Sequence, residues 1–309
     1  MRKFTAGKGE SGKRLDRVLS DKFPGTPSGV ILGALKERDV KINGVRSSAS
    51  SRVDEGDEID VFISDDHLDM KPAESFSIVF EDSNVIIVQK RQGINVHANS
   101  ANDRFNLIDA IREHMHENHE HADIFLCHRI DRNTGGLVML AKNRGSLSFI
   151  IEKMENRQII KYYTCLLYGA LPKEEDVLTA YLQKDSRNAN VSVSDNEFPG
   201  SLQIVTKYKV LRYESNISLV EVELHTGRTH QIRAHFAHIG NPVIGDGKYG
   251  TNEINRPLGA SMQALWASRI DFRFGSENGI LGYLSGKAFE SKPEFTGLKN
   301  VTISGIICR

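Results

Sequence analysis

The stretch from His128 to Asn143 holds the residues whose types and spacing best suit chemistry. Its first half is polar and turn-forming, and its second half, Leu137 to Ala141, is an apolar run of strand length. The first half presents one carboxylate, Asp131, between Arg129 and Arg132. Nearby positive charge favours an ionised carboxylate, which could serve as a nucleophile, as a general base or only as a partner in a surface ion pair. Charge spacing alone favours the surface ion pair.

A second stretch, Lys161 to Gly169, is rich in aromatic and β-favouring residues and predicts a strand. For any one tyrosine in such a strand, a half-buried packing role is the ordinary interpretation. We accept that interpretation for Tyr162 and Tyr168.

A third stretch begins with the alternating strand pattern of Leu219 to Leu224, which Thr226 to Thr229 ends. The residues from His230 onward predict a helix that places His230 and Arg233 on one face. A helix N-terminus beside a glycine turn is suited to anions, but an ordinary strand–helix junction is commoner.

These elements belong to a chain whose composition is that of an ordinary soluble protein. Its 309 residues suggest about two domains with a sizeable core, and 39% are hydrophobic and 26% charged. The formal net charge is zero, so bulk electrostatics give no support to nucleic-acid binding. Three cysteines without close spacing argue against a disulfide framework or zinc ribbon. With no signal-peptide pattern and no apolar run of the ~18 residues that a membrane span needs, we expect a cytoplasmic protein with no membrane partner.

The N-terminal region predicts a small module of two helices followed by strands. Apolar residues recur at helical spacing, and Asn43-Gly44 between two strand patterns is a strong hairpin signal. The positions taken as apolar in the helices and strands are Leu15, Val18, Leu19, Phe23, Ile31, Leu32, Leu35, Val40, Ile42, Ile59, Val61 and Ile63. Residues 65–75 are polar and lack periodicity, so we expect one domain over residues 1–70 and a second over 71–309.

The second region opens with predicted strands over 76–80 and 85–88 and a helix over 107–116. A further helix over 146–154 is expected to turn Leu147, Ile150 and Ile151 inward.

Four histidines in the second region could suggest a metal site: His114, His116, His119 and His121. The spacing fails the zincin pattern, because the residue four positions after His116 is Glu120. We therefore expect no metal and no cofactor.

Three separated motifs, in order, resemble those of the RluA-like family of RNA pseudouridine synthases. They are His128 to Asn143; Lys161 to Gly169; and Thr226 to His235 with Gly240 to Asp246 and Tyr249-Gly250. Lys90 to His97 is similar to the family's Lys-Pro-x-Gly segment, with Arg91 in place of proline. The resemblance implies an α+β fold with a mixed, largely antiparallel central sheet and flanking helices. It also implies that Asp131 is the nucleophile, that Tyr163 stacks on uracil and that Arg233 pairs with the aspartate.

The same resemblance implies further substrate contacts. Arg129 would fill the gap left by a flipped nucleotide, and Leu265, in a segment only loosely similar to the family's, would line the pocket. We also expect Lys161 and His230 to bind substrate.

The N-terminal module resembles the S-four-type RNA-binding domain, named after a ribosomal protein. Arg14-Leu15-Asp16, Val40 to Gly44 and Val53 to Asp57 carry this resemblance. Its expected phosphate contacts are Lys13, Arg14, Arg17, Lys36, Arg38 and Lys41. Acidic residues interleave with these cations, so charge alone favours a solvated helical face, whereas the turn pattern favours RNA binding.

The resemblance implies isomerisation of uridine to pseudouridine in structured RNA by a monomeric enzyme without a cofactor. Large-subunit ribosomal RNA is the preferred substrate, and transfer RNA is the second candidate. Two other classes stay open from the sequence: a non-catalytic RNA-binding or ribosome-assembly factor, and a metal-dependent hydrolase built on the histidines.

Overall fold

A computed structural model of the chain describes residues 2–23, 26, 31–32, 34–35, 39–62, 75–97, 106–118, 123–184, 191–275, 279–301 and 307–308. Contacts divide the chain into two compact units. The first consists of Met1–Ser77 and Gly93–His121, and the second consists of Ile78–Gln92 and Ala122–Arg309.

The described residues of the first unit include a four-stranded antiparallel sheet and two helices whose bounds are described. The strands are β1 (Arg2–Thr5), β2 (Val40–Ile42), β3 (Val45–Arg46) and β4 (Glu58–Val61), in the order β1-β4-β2-β3; the helices are α1 (Leu15–Lys22) and α2 (Leu107–Glu117). The predicted hairpin is present, with φ of 50° at Asn43 and 77° at Gly44. Strand β1 was not predicted, because it has one clear apolar residue, Phe4.

The core of this unit includes nearly all of the apolar positions named for its helices and strands. Leu15, Val18 and Leu19 of α1 are fully buried against Ile59 and Val61 of β4. Residues 31, 32, 34 and 35 are helical as expected. Leu32 is an exception, because its side chain is 47% exposed. Ile63 and most of the expected linker lie outside the described residues.

The large sheet contains eleven of the described strands. Nine lie in the order β11-β10-β12-β13-β9-β14-β8-β6-β5, and β15 and β7 pair with β14 and β8. Their bounds are β5 (Phe76–Glu81), β6 (Val85–Lys90), β7 (Phe125–Leu126), β8 (Gly135–Ala141), β9 (Ile159–Tyr168), β10 (Glu175–Lys184), β11 (Val191–Ser194), β12 (Leu202–Glu214), β13 (Ile217–Leu224), β14 (Leu265–Phe272) and β15 (Ala288–Glu290). Most pairs are antiparallel, while β8 and β14 pair in parallel. The expected α+β class with a mixed, largely antiparallel sheet is confirmed.

Short helices and one small sheet complete the second unit. They are α3 (Arg144–Glu155), α4 (Gln231–His238), α5 (Asn252–Asn255), a 3-10 turn (Gly282–Leu284), and the pair β16 (Glu294–Phe295) and β17 (Ile307–Cys308). The prediction for Ile151 of α3 was wrong, because this side chain is 41% exposed while Ile150 is fully buried.

Strand β8 begins two residues earlier than its apolar run predicts. Gly135 and Gly136, predicted to be part of the turn, pair with Trp266 and Ala267 of β14. A Cβ on Gly135 would lie 2.1 Å from the Trp266 ring, and one on Gly136 would lie 2.2 Å from the Ala267 carbonyl oxygen. The two glycines therefore let β14 approach β8 closely, directly after the loop that carries Asp131.

Candidate active site

A cavity of about 340 Å³ lies over the central strands of the large sheet. Its wall contains all seven residues predicted to be catalytic or substrate-binding: Asp131, Tyr163, Arg233, Arg129, Leu265, Lys161 and His230. They come from the loop before β8, from β9 and β14, and from the start of α4. The fold thus brings together side chains that are up to 136 residues apart, from Arg129 to Leu265.

Arg233 connects two carboxylates. Its Nε and Nη2 donate to Oδ2 and Oδ1 of Asp246 at 2.6 and 2.9 Å, and its Nη1 donates to Oδ2 of Asp131 at 2.7 Å. The ion pair between Arg233 and Asp131 that the resemblance implied is therefore present. Burial alone would lower the pKa of Arg233, but the hydrogen bonds and charges of the two aspartates outweigh it and raise that pKa. The guanidinium stays charged and its planar fork fixes where Asp131 points.

Asp246 is the site residue to which the sequence motifs assigned no role. It is fully buried, and its Oδ1 also accepts from the amides of Lys248 and Tyr249 at 2.8 and 3.1 Å. Burial raises the pKa of Asp246, but Arg233 and these amides more than reverse that effect and hold it below the ordinary value. The only sequence signal was its place after Gly245 in the third motif.

Asp131 itself stays accessible from the cavity. Its side chain is 25% exposed, whereas that of Arg233 is 9% exposed. The Asp131 carbonyl accepts from the Thr134 amide at 3.1 Å, which closes the turn before β8. One carboxylate oxygen is thus held by the arginine, and the other lies 3.9 Å from Nε2 of His230.

Buried polar side chains support the Asp131 loop from behind. Nζ of Lys90 donates to the carbonyl oxygens of Arg91 and Arg132 at 2.9 and 3.0 Å. Burial is the main cause that lowers the Lys90 pKa, to about 7, while the negative charge of Asp131 opposes this shift. Gln92 Nε2 donates to the carbonyls of Asn133 and Gln263 at 2.9 and 2.8 Å. The family's Lys-Pro-x-Gly-like segment therefore fixes the backbone that follows Asp131.

His230 lies at the start of α4 in the left-handed conformation, with φ of 55°, rather than inside the helix as predicted. Its Nδ1 lies 2.8 Å from the Tyr249 hydroxyl, which also accepts from the Val191 amide at 3.3 Å. This contact lets Tyr249 donate its own proton to Nδ1, in the tautomer that carries the ring proton on Nε2, the nitrogen that faces Asp131. Burial lowers the His230 pKa to about 4, so the ring is neutral at pH 7.

Tyr163 and Leu265 form the apolar part of the wall. Tyr163 is 6% exposed and Leu265 is 4% exposed, on the adjacent strands β9 and β14. Burial, followed by the charge of Asp131, raises the pKa of Tyr163, so its phenol is not ionised at pH 7. Tyr162 packs in the strand as expected, but the prediction that it is half-buried was wrong, because it is only 5% exposed. The Cζ atom of Arg269 lies 3.9 Å from the centre of its ring.

Two of the seven predicted site residues in the cavity wall are cations that differ in their exposure to solvent. Arg129 is exposed at the rim of the cavity. Lys161 lines the cavity beside Cys127 and His128, and burial lowers the pKa of its ammonium. Nothing in the described parts of the chain forms a hydrogen bond or salt bridge with either of these two side-chain cations.

The predicted RNA contacts of the N-terminal module differ in how far they are already paired. Arg14 donates twice to Asp16 at 2.7 and 3.1 Å, and Lys13 is 3.3 Å from Asp21. Lys41 lies over the Phe62 ring, and Arg17 is exposed. Lys36 and Arg38 lie outside the described residues.

No group of three or more potential metal ligands occurs within the described residues. His114 packs edge-on against Phe76, and His119 and His121 fall in ranges that are not described. Across the same described ranges, no helix is long and apolar enough to cross a membrane.

Known proteins are similar to this chain in sequence and in fold. Residues 84–238 match the family model described as RNA pseudouridylate synthase. Ribosomal large subunit pseudouridine synthase C of Rickettsia felis is 31% identical over 260 residues, which cover 78% of this chain and 83% of the relative. The chain belongs to the RNA pseudouridylate synthase family. The expected enzyme class is thereby confirmed, and the alternatives of a non-catalytic factor and a metal-dependent hydrolase are set aside.

Two further relatives extend the similarity. Ribosomal large subunit pseudouridine synthase C of Vibrio cholerae is 29% identical over 277 residues, which cover 85% of each chain. The solved structure of human RNA pseudouridylate synthase domain containing 4 is similar in fold, with a TM-score of 0.56 and 22% identity over 70% of this chain and 88% of that one.

Proposed function

We propose that the protein converts specific uridines of large-subunit ribosomal RNA to pseudouridine, with Asp131 as the nucleophile. The observation that carries this proposal is the ion pair in the cavity. Asp131 is the accessible carboxylate there, and a buried arginine that is itself fixed by Asp246 holds it at 2.7 Å. The choice of ribosomal RNA rests on relatives named as ribosomal large subunit pseudouridine synthases.

The proposed chemistry needs only this carboxylate and a pocket for the base. Asp131 attacks the substrate, the bond from the anomeric carbon to N1 of uracil breaks, and the base turns within the cavity. A bond from the anomeric carbon to C5 then forms and the bond to Asp131 breaks. C5 loses its proton and N1 takes one up, so product and substrate have the same composition. Arg233 holds one oxygen of the nucleophile by a hydrogen bond and leaves the other directed away from the guanidinium.

The remaining predicted residues bind and orient the target nucleotide. The Tyr163 ring stacks on uracil, and Leu265 packs against the same base. The neutral His230 ring donates from Nε2 to a substrate oxygen close to Asp131. Arg129, at the rim, occupies the space that the flipped nucleotide leaves, and so offsets an unstacking cost of a few kcal/mol.

The N-terminal module, residues 1–70, is proposed to bind RNA as an S-four-type domain, separate from a catalytic domain over 71–309. Its exposed cations would contact phosphates and so position the RNA without reading its sequence. The enzyme is proposed to act as a monomer.

The test of the nucleophile is Asp131→Asn, which keeps the shape of the side chain and removes its negative charge. We expect pseudouridine formation to fall to background in single-turnover assays at saturating enzyme, while circular dichroism and RNA affinity stay unchanged. Asp271→Asn is the matched control, because Asp271 also pairs with arginines, Arg269 and Arg273, but does not line the cavity. Near-normal turnover by Asp131→Asn would show that another group is the nucleophile.

The test of the substrate is a map of pseudouridines in total RNA from cells with and without the gene. We expect sites in large-subunit ribosomal RNA to disappear when the gene is absent. Loss confined to transfer RNA would contradict the choice of ribosomal RNA.

A further inference from the structure

A second cavity of about 270 Å³ adjoins the one that contains Asp131. The two cavities share four wall residues: Met154, Lys161, Leu224 and Gly227. Space continues from the pocket of the target base toward the end of α3, where Arg157 lies. None of the seven predicted residues except Lys161 lines this second space.

Apolar side chains form the floor of this cavity, and two cations that have no hydrogen-bond or salt-bridge partner among the described residues lie in its wall. Ile159 and Leu224 supply apolar surface, while Arg157 and Lys161 supply positive charge. No described residue forms a hydrogen bond or salt bridge with either of these two side-chain cations. The nearby carboxylate of Glu223 is 3.0 Å from Nε2 of His225. The ammonium of Lys161 lines both cavities, and an anionic oxygen of a ligand would replace the hydration that this group loses to the surrounding protein.

The backbone of Arg157 is unusual for the residue it carries. Its φ is 54°, in the left-handed region where glycine normally ends a helix. The Arg157 amide donates to the Met154 carbonyl at 3.1 Å, and the Gln158 amide donates to the Lys153 carbonyl at 2.8 Å, as in a helix-ending turn. Backbone conformation therefore favours glycine at this position, and the long cationic side chain has no role in holding the turn together.

We propose that this second cavity binds the backbone phosphate next to the target uridine, with Arg157 and Lys161 as its two cationic contacts. The inference rests on the proposed function, because a uridine held beside Asp131 brings its flanking phosphates to the shared wall of the two cavities. A phosphate fits this cavity better than a nucleobase does. The wall offers two cations that no described residue hydrogen-bonds or neutralises, and its lining residues include no tyrosine, tryptophan or phenylalanine on which a base could stack.

The experiment compares Arg157→Gly and Arg157→Gln in the full-length protein. The probe is a short single-stranded oligouridylate, used once with ordinary phosphodiester linkages and once with uncharged methylphosphonate linkages. Both variants should bind the charged probe several-fold more weakly, with the slope of log affinity against log salt reduced by about 0.7, as for one lost phosphate contact on a single strand. Affinity for the uncharged probe should not change. Arg157→Gly should also melt at the same temperature as wild type or higher, because glycine suits the backbone.

Arg212→Gln is the matched control, since Arg212 is an exposed arginine that lines neither cavity. Wild-type affinity and salt slope in both Arg157 variants would overturn the inference, as would an equal loss in the control. Failure of the proposed function is separate: it would appear as wild-type protein that forms no pseudouridine in ribosomal RNA, whatever the oligouridylate measurements give.

Discussion

At the scale of single residues, the site depends on how one guanidinium is divided between two acids. Arg233 gives two of its nitrogens to Asp246 and one to Asp131. The bidentate bond to the fully buried Asp246 fixes the plane of the fork, and the third nitrogen then fixes the position of Asp131. A lysine has one ammonium on a flexible stem and cannot reproduce this geometry.

We therefore expect Arg233→Lys to reduce single-turnover pseudouridine formation by at least about tenfold, while the protein still folds at a cost of about 1–3 kcal/mol in stability. Turnover and the free energy of unfolding would be measured on the same preparation. The matched control is Arg269→Lys, because Arg269 also contacts two carboxylates, Glu221 and Asp271, outside the cavity. Equal turnover losses in the two variants would show that the geometry of Arg233 is not special.

Lys90 donates a hydrogen bond to the backbone of the same loop, and its protonation makes the stability of the protein depend on pH. It is fully buried, and burial lowers its pKa from 10.5 to about 7. Between these two values the unfolded chain binds a proton that the folded chain has released, so stability rises with pH across this window. Below pH 7 the cost of burying the charged ammonium is present in full.

The expected rise of stability with pH can be tested with the variant Lys90→Met. The stability of wild type relative to the variant should increase between pH 7 and 10.5, with a slope on the order of 1 kcal/mol per pH unit. Urea unfolding at several pH values measures it. A difference that stays constant with pH would mean that Lys90 keeps an ordinary pKa in the folded protein.

At the scale of elements, β8 and β14 determine where the loop that carries Asp131 ends. Their parallel pairing brings Gly136 against the Ala267 backbone, at a φ of 100° that few residues other than glycine adopt. Periodicity predicted most of β8, but not its start, because the reason for that start is a contact with a strand 130 residues later.

Gly136→Ala should therefore destabilise the protein more than an alanine that only meets an unfavourable φ. A Cβ at Gly136 would lie 2.2 Å from the Ala267 carbonyl oxygen, whereas Gly240, with φ of 87°, has nothing within 4 Å. We expect both variants to lose about 1–3 kcal/mol from backbone strain, and Gly136→Ala to lose about 1–3 kcal/mol more from the contact. Thermal or urea unfolding gives the comparison, and equal losses would show that β14 moves aside freely.

Sequence patterns predicted part of the site, namely the elements that carry its residues. Local patterns were sufficient for the strands around Tyr163 and Leu137 and for the helix that carries Arg233, because alternation and helical spacing are properties of neighbouring residues. Asp246, Lys90 and Gln92 received no role, since their importance comes from hydrogen bonds to residues 13 to 171 positions away. The pairing of Arg233 with Asp131 was accessible only through the family resemblance.

At the scale of the whole molecule, RNA binding must come from local clusters of charge. The chain has 40 basic and 40 acidic residues, so no net positive charge attracts RNA at long range. What distinguishes one cation from another is whether an acid within the protein already neutralises it. In the N-terminal module Arg14 is held twice by Asp16, while Arg17 is exposed and pairs with no side chain among the described residues.

If this module binds RNA, these two neighbouring arginines should contribute unequally. Arg17→Gln should weaken affinity for ribosomal RNA fragments and reduce the slope of log affinity against log salt by about 0.7–0.9, the value for one phosphate contact. Arg14→Gln should have a smaller effect, because Arg14 already donates two hydrogen bonds to Asp16 and has fewer donors available for a phosphate. Filter binding over a series of salt concentrations measures both slopes, with circular dichroism as the check on folding. Wild-type affinity and slope in Arg17→Gln would argue that this helix face is only solvated and that RNA contacts lie elsewhere.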